Sequence, residues 1–200
     1  MSGAEGWAGA GQAGQSFRLV PFGGPAEPSA GGARAVEGGG LAVEGRIARQ
    51  GERLRVEYTL HDPAASLAIP PPTPNPRRRD ELWQATCLEL FLAVPGQESY
   101  REFNLSPSGD WAIYRLDGYR RGLRADPAWT ALPFTRQDEP GMLRLTLATT
   151  LPPELAATAQ LEAAITAVLQ NQDGRCGYWA LRHPGPEADF HRREGFGLWV

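Results

Sequence analysis

The stretch 82–94, LWQATCLELFLAV, constrains the fold of this chain more than any other. From Cys87 its period is two. Leu88, Leu90, Leu92 and Val94 fall on one row, and Cys87, Glu89, Phe91 and Ala93 on the other. A wholly apolar row has to be buried against a second layer. A carboxylate beside an aromatic on the opposite row needs either a partner or a lined groove. The stretch therefore predicts a central strand whose second face is a candidate binding surface.

Its neighbours extend both faces. After the Pro95-Gly96 turn, SYREFNLSP places Tyr100, Glu102 and Asn104 on one row and Arg101, Phe103 and Leu105 on the other, and DWAIYRL follows the turn at 106–109. If the Leu row is core, Phe103 and Leu105 join it. Cys87, Glu89, Phe91, Tyr100, Glu102 and Asn104 then share the second face of a meander. The turn does not fix the register of the third strand, so either Trp111 with Ile113 or Tyr114 with Leu116 can be core.

Elsewhere the same period recurs. SFRLVPF at 16–22 reads as a first strand, broken by Gly and Pro over 23–32. LAVEGRIARQ and RLRVEYTLH, separated by Gly51 and Glu52, read as a hairpin, with Leu54, Val56, Tyr58 and Leu60 turned inward. IPPPTPNPRRR at 69–79 lacks the amide hydrogens that a ladder requires and reads as an exposed loop, its three arginines solvated. Residues 118–140 read as a long, mostly irregular connection. MLRLTLATT is a strand, Pro152 and Pro153 open a short helix to Ala157, LEAAITAVLQNQ and YWALRH form another hairpin, and EGFGLWV ends the chain as a short strand. Many short strands with little helix predict an all-β, two-sheet antiparallel β-sandwich. The domain is expected over 16–200, after a flexible Gly- and Ala-rich tail at 1–15.

Composition narrows the partners. Two hundred residues suffice for one well-buried sandwich, and a formal net charge of -3 supplies no basic field, which argues against nucleic acid or an anionic membrane as partner. All 20 basic residues are arginine, a bias ascribed to GC-rich coding. The opening MSGAEGWAGAGQAGQ has no basic cluster followed by an apolar core, and no apolar run is long enough to span a bilayer, so a cytoplasmic protein is expected. Cys87 and Cys176 are too few and too far apart for a zinc site and are expected to be buried thiols.

The runs LWQATCLELF, YREFNLSPSGDWAIYRLDGYR and YWALRHPGPEADFH together resemble the DOMON-like domains, relatives of the family 9 carbohydrate-binding modules, and within them a stand-alone bacterial group. The resemblance covers most of the chain from Phe17 onward, with Trp83, Glu89 and Phe91 matching the family's Trp followed by Glu and Phe two apart. It implies a jelly-roll-like sandwich and a non-catalytic module that holds a sugar or, in cytochrome members, haem. Thr86 stands where the sugar-binding modules commonly carry an Asp, so no calcium site is carried over. The only methionine besides Met1, Met142, lies in an apolar strand where it is expected to pack, so haem is not expected either. No cofactor is expected.

A sugar pocket needs an aromatic plate and convergent polar groups. Trp83, Trp111, Trp129 and Trp179 are candidate plates, and Glu89, Glu102, Asn104 and Arg120 candidate polar groups; ordinary packing is the competing reading for each Trp. Glu89 needs a filled groove or an Arg partner, Arg120 or Arg182. His183, Asp189 and His191 resemble a metal or acid-base set in residue type, against the reading that they tie down a loop. The expected ligand-binding set is Trp83, Glu89, Phe91, Tyr100, Glu102, Asn104, Trp111, Arg120, His183, Asp189 and His191, around a small molecule such as a carbohydrate. Two alternatives stand beside this. One is a sugar hydrolase or isomerase working through Glu89 and Glu102 or the histidine loop. The other is a structural or protein-binding sandwich with an internal Arg and Glu network.

Overall fold

The structure, a computed structural model, describes residues 14–24 and 40–200. The tail expected at 1–15 lies outside them up to residue 13, as does most of the break at 23–32; Gln15 already belongs to a strand.

Two antiparallel sheets face each other, as the alternation predicted. The first has the order β1 (Gln15–Arg18), β3 (Ala42–Gln50), β4 (Arg53–His61), β10 (Met142–Thr150), β9 (Phe134–Glu139). The second runs β2 (Val20–Pro21), β12 (Cys176–Ala180), β11 (Glu162–Gln170), β5 (Cys87–Ala93), β6 (Tyr100–Leu105), β7 (Trp111–Leu116), β8 (Arg124–Ala125). A last strand, β13 (Leu198–Trp199), also pairs with β11. One four-residue helix, α1 (Pro153–Ala156), opens on its prolines where the sequence placed it.

The core lies between the sheets. From the second sheet come Leu88, Leu90, Leu92, Phe103, Leu105, Trp111 and Ile113; from the first come Ile47, Leu54, Val56, Tyr58, Leu60, Leu143, Leu145 and Leu147. The open register of β7 is thereby resolved: Trp111 and Ile113 face the core, while Ala112, Tyr114 and Leu116 join the second face. Two arginines on the core face are tied by several bonds each. Arg49 donates to the carbonyls of Leu155, Ala156 and Thr158 around α1. Arg101 pairs with Asp126 at 3.2 Å and with Glu154.

Three expectations need correction. The strand at 16–22 is split at Leu19, with β1 in one sheet and β2 in the other, so this segment crosses the sandwich; Leu19, 2% exposed, plugs the crossing. Residues 118–140 contain β8 and β9. Strand β9, FTRQDE, was hidden because it is a polar edge strand, and the Pro140-Gly141 hairpin before β10 was its signal, with Gly141 at φ 70°. Finally, the RRR run is not simply solvated. Arg78 lies over the Trp111 ring at 4.4 Å and donates to the carbonyls of Ile113, Asp126 and Trp129, and Arg79 pairs with Asp110 at 3.3 Å.

Candidate functional site

The second face of the β11-β5-β6-β7 meander is a floor rather than an open surface. Register sets one row as Thr166, Glu89, Asn104 and Ala112 across the four strands, and the next as Ala164, Phe91, Glu102 and Tyr114. Glu89 and Glu102 are thus diagonal neighbours, at about 7 Å in backbone terms. The C-terminal segment 181–200 folds back over this floor. Phe196 packs on Phe91 and Tyr100, with ring centroids 6.0 and 6.1 Å away. Phe190 meets Tyr178 edge-on at 6.1 Å.

Between floor and segment lies a cavity of about 350 Å³. Its apolar wall is Trp83, Phe91, Leu116, Leu123, Val168, Tyr178, Ala188 and Phe190, and its polar groups are Glu89, Glu102, Arg120 and His191. Trp83 sits on a single 3-10 turn, Leu82–Gln84, and is held edge-on against Tyr114 at 5.8 Å. The volume is within the range usual for small-molecule sites.

The floor carboxyls are 2% and 4% exposed, and neither forms an ion pair among the described residues. Glu89 accepts from the Thr166 hydroxyl at 2.9 Å. Glu102 accepts on Oε1 from Asn104 Nδ2 at 2.9 Å, while its buried Oε2 has no hydrogen-bond partner. Burial first, and then the neighbouring Glu102, raise the Glu89 pKa to about 8; the Thr166 bond opposes this. Burial also raises Glu102, against the Asn104 bond and the Arg120 charge. The pair therefore holds a proton near neutrality. Cys87, beside it, donates weakly to Asn104 Oδ1 at 3.6 Å, and burial pushes its thiol up. Cys176 is half-buried rather than buried, and both thiols are free.

The rim is held by a polar network. Arg120 takes a left-handed backbone, φ 51°, an uncommon conformation for a side chain with a Cβ. It is fixed there from both ends: its amide donates to the Tyr100 hydroxyl at 3.3 Å and its guanidinium pairs with Asp189 at 2.9 Å. Asp189 also accepts from the Tyr119 hydroxyl and the His191 amide. Burial works upward on Asp189, but the bonds from Tyr119 and Arg120 outweigh it and keep it ionised. His191 lies against Phe91, and its Nδ1 is 2.8 Å from the Tyr100 hydroxyl. Burial and the Arg120 charge lower its pKa to about 4, so the ring is neutral. The neutral His191 ring and the Tyr100 hydroxyl share this hydrogen bond through Nδ1, one donating and the other accepting.

The sequence-derived set divides accordingly. Trp83, Glu89, Phe91, Glu102, Arg120 and His191 line the cavity. Tyr100, Asn104 and Asp189 lie behind it and hold lining residues by the bonds above. Trp111 is between the sheets, 5% exposed, because β7 turns it inward. Trp129 is there too, donating to Thr149, and Trp179 packs against the same core. His183 is turned away onto the Val20 carbonyl at 3.0 Å and lies edge-on to Phe22. The two histidines are thus tied separately, and no group of three His, Cys, Asp or Glu is placed to hold a metal among the described residues. Neither expected Arg partner pairs with Glu89: Arg182 donates to the Phe196 carbonyl and Arg120 to Asp189. Sequence reasoning missed Thr166, Tyr178 and Phe190. Thr166 is a polar break in the apolar middle of β11, and Tyr178 is on the opposite row from Trp179, but joining Thr166 to Glu89 and Tyr178 to the cavity needs the pairing of β5, β11 and β12.

No family model and no curated protein matches the sequence. Among solved structures, the chain is similar to a candidate carbohydrate-binding protein from Bacteroides uniformis, with a TM-score of 0.55 at 16% identity over 78% of this chain and 77% of that one. A family 9 carbohydrate-binding module from Caldicellulosiruptor kristjanssonii, solved with glucose and with cellotriose, aligns at a TM-score of 0.43 and 12% identity, over 74% of this chain and 69% or 68% of the module. The likeness to the Bacteroides uniformis protein shows a shared fold.

Proposed function

We propose that this protein is a non-catalytic small-ligand binding module whose ligand is a carbohydrate held in the cavity over β5 and β6. The observation that carries the reading is the buried Glu102 Oε2, an acceptor without a partner in the floor of an aromatic-walled cavity. A buried acceptor left unpaired costs about 1–3 kcal/mol, and a hydroxyl of a bound sugar would remove that cost. Trp83, Tyr178 and Phe190 offer faces for the apolar side of a pyranose, and Glu89, Arg120 and His191 offer further acceptors and donors to its rim. The fold shared with the Bacteroides uniformis protein supports the reading, as does the resemblance of the LWQATCLELF run to DOMON-like domains, whose superfamily we take this chain to join. Among the described residues neither carboxyl has an Arg partner, which counts against a purely structural Arg and Glu network.

The test is a thermal-shift series with monosaccharides, followed by titration calorimetry. At about a hundred times its dissociation constant a ligand adds about 2.7 kcal/mol, which for a chain of this size is a rise of about 5–10 °C in Tm. Trp83→Ala should abolish the shift while the variant still unfolds cooperatively. If no monosaccharide moves Tm at millimolar concentration, the carbohydrate reading is wrong.

A further inference from the structure

Two carboxyls in an aromatic-walled cavity are more than a neutral sugar requires. A neutral diol is satisfied by one acceptor and one donor, and Arg120 already supplies a donor at the rim. The floor adds two acidic groups whose ionisation is suppressed by burial, with one oxygen left without a partner. The remaining charges around them do not neutralise this excess. Arg120 faces the cavity but is paired with Asp189, and His191 is neutral. The other titratable groups that face the pair, Cys87, Tyr58, Tyr114 and Tyr178, carry no positive charge in any state. An ionised floor is thus a net anionic pocket whose walls are aromatic faces, which attract cations.

We propose that the cavity selects a ligand bearing a protonated primary amine, whose ammonium docks at Glu102 and Glu89. Resting on the carbohydrate reading above, the ligand class is an amino sugar: the ring stacks on the aromatic wall and the ammonium points to the floor. The proton balance is simple. The ammonium keeps its own three hydrogens, Glu89 loses its proton to solvent, and the ion pairs replace the proton that had kept two adjacent carboxyls from ionising together. Because the Glu89 pKa lies at about 8 in the free protein, release approaches one proton per ligand at pH 7.

The experiment is titration calorimetry of the full chain at pH 7 with glucosamine, glucose and N-acetylglucosamine, each in two buffers of different ionisation enthalpy. Glucosamine should bind at least tenfold tighter than either neutral sugar, with a buffer-dependent heat corresponding to release of about one proton. Its affinity should rise about tenfold from pH 6 to pH 7, below the point where its own amine deprotonates. Glu102→Gln, which keeps an acceptor for Asn104 and removes the charge, should erase the preference for glucosamine over glucose and the buffer-dependent heat. Glucose binding as tightly as glucosamine, or glucosamine binding with the same heat in both buffers, overturns the amine proposal but leaves the carbohydrate reading intact. Binding by none of the three sugars overturns both.

Discussion

Two buried side chains set opposite pH limits on this molecule. The folded-state pKa of Glu89 is raised from 4.5 to about 8, so the folded protein holds a proton that the unfolded chain releases. Its contribution is complete below pH 4.5 and is lost as pH rises towards 8. His191 is lowered from 6.5 to about 4, so the unfolded chain takes up a proton that the folded protein refuses, and stability is lost as pH falls from 6.5 towards 4. Between pH 4.5 and 6.5 the slopes of Glu89 and His191 oppose each other. From pH 6.5 to 8 the Glu89 slope is unopposed and amounts to about 2 kcal/mol. Urea unfolding should therefore show a steeper decline above pH 6.5 than below it. Glu89→Gln keeps an acceptor for Thr166 and has no charge to bury, so it should flatten the alkaline limb and exceed the wild type in stability at pH 8. A wild type equally stable at pH 6 and pH 8 would show that Glu89 titrates normally.

At the scale of elements, legibility in the sequence followed how much of a strand's surroundings is local. Strand β5 could be read because both its rows are buried and their chemistry differs, and β6 because its row pattern matched. The floor of Cys87, Glu89, Phe91, Tyr100, Glu102 and Asn104 was therefore visible before any coordinates. Strand β9 was not, because a solvated edge strand has a weak period. Nor was the cavity itself, since its roof of Ala188, Phe190 and His191 comes from a distant segment with no period at all. The RRR run misled for a related reason: composition describes a charge run, but only tertiary placement shows that Arg78 reaches three carbonyls. A Pro-rich segment is thereby stitched to β7, with the Arg79 amide and Trp111 carbonyl 2.9 Å apart. Arg78→Lys keeps the charge and loses the planar fork and its stacking on Trp111. It should destabilise by about 2–3 kcal/mol in urea unfolding, whereas Arg77→Lys, whose side chain makes no such clamp, should stay within about 0.5 kcal/mol. Equal effects from the two would return the whole run to the solvated reading.

Across the whole molecule, the site is tied to the opposite sheet by one line of side chains that starts at a glycine. Gly45 in β3 is flanked by Phe17 of β1 and Tyr58 of β4, and the two rings meet edge-on across it at 5.6 Å. A Cβ at Gly45 would collide with the Glu57 carbonyl oxygen and come within 2.7 Å of the Phe17 ring, so the bare backbone is what lets the aromatic pair close over β3. Tyr58, fully buried, then crosses the core and donates its hydroxyl to the Glu89 carbonyl at 2.8 Å, bracing the strand that carries the cavity floor. Gly45→Ala should cost at least about 2–3 kcal/mol by pushing the Glu57 carbonyl of β4 and the Phe17 ring away from β3, and Tyr58→Phe about 1 kcal/mol by removing the hydrogen bond. The two changes act on one contact. Once Gly45→Ala has displaced the Tyr58 ring, its hydroxyl no longer reaches Glu89, so adding Tyr58→Phe should cost little more. A double-mutant cycle by urea unfolding should return a coupling of at least about 0.5 kcal/mol, the double variant being less damaged than the sum of the singles. Strict additivity would mean that the glycine and the floor are independent, and that the two sheets position the site without this brace.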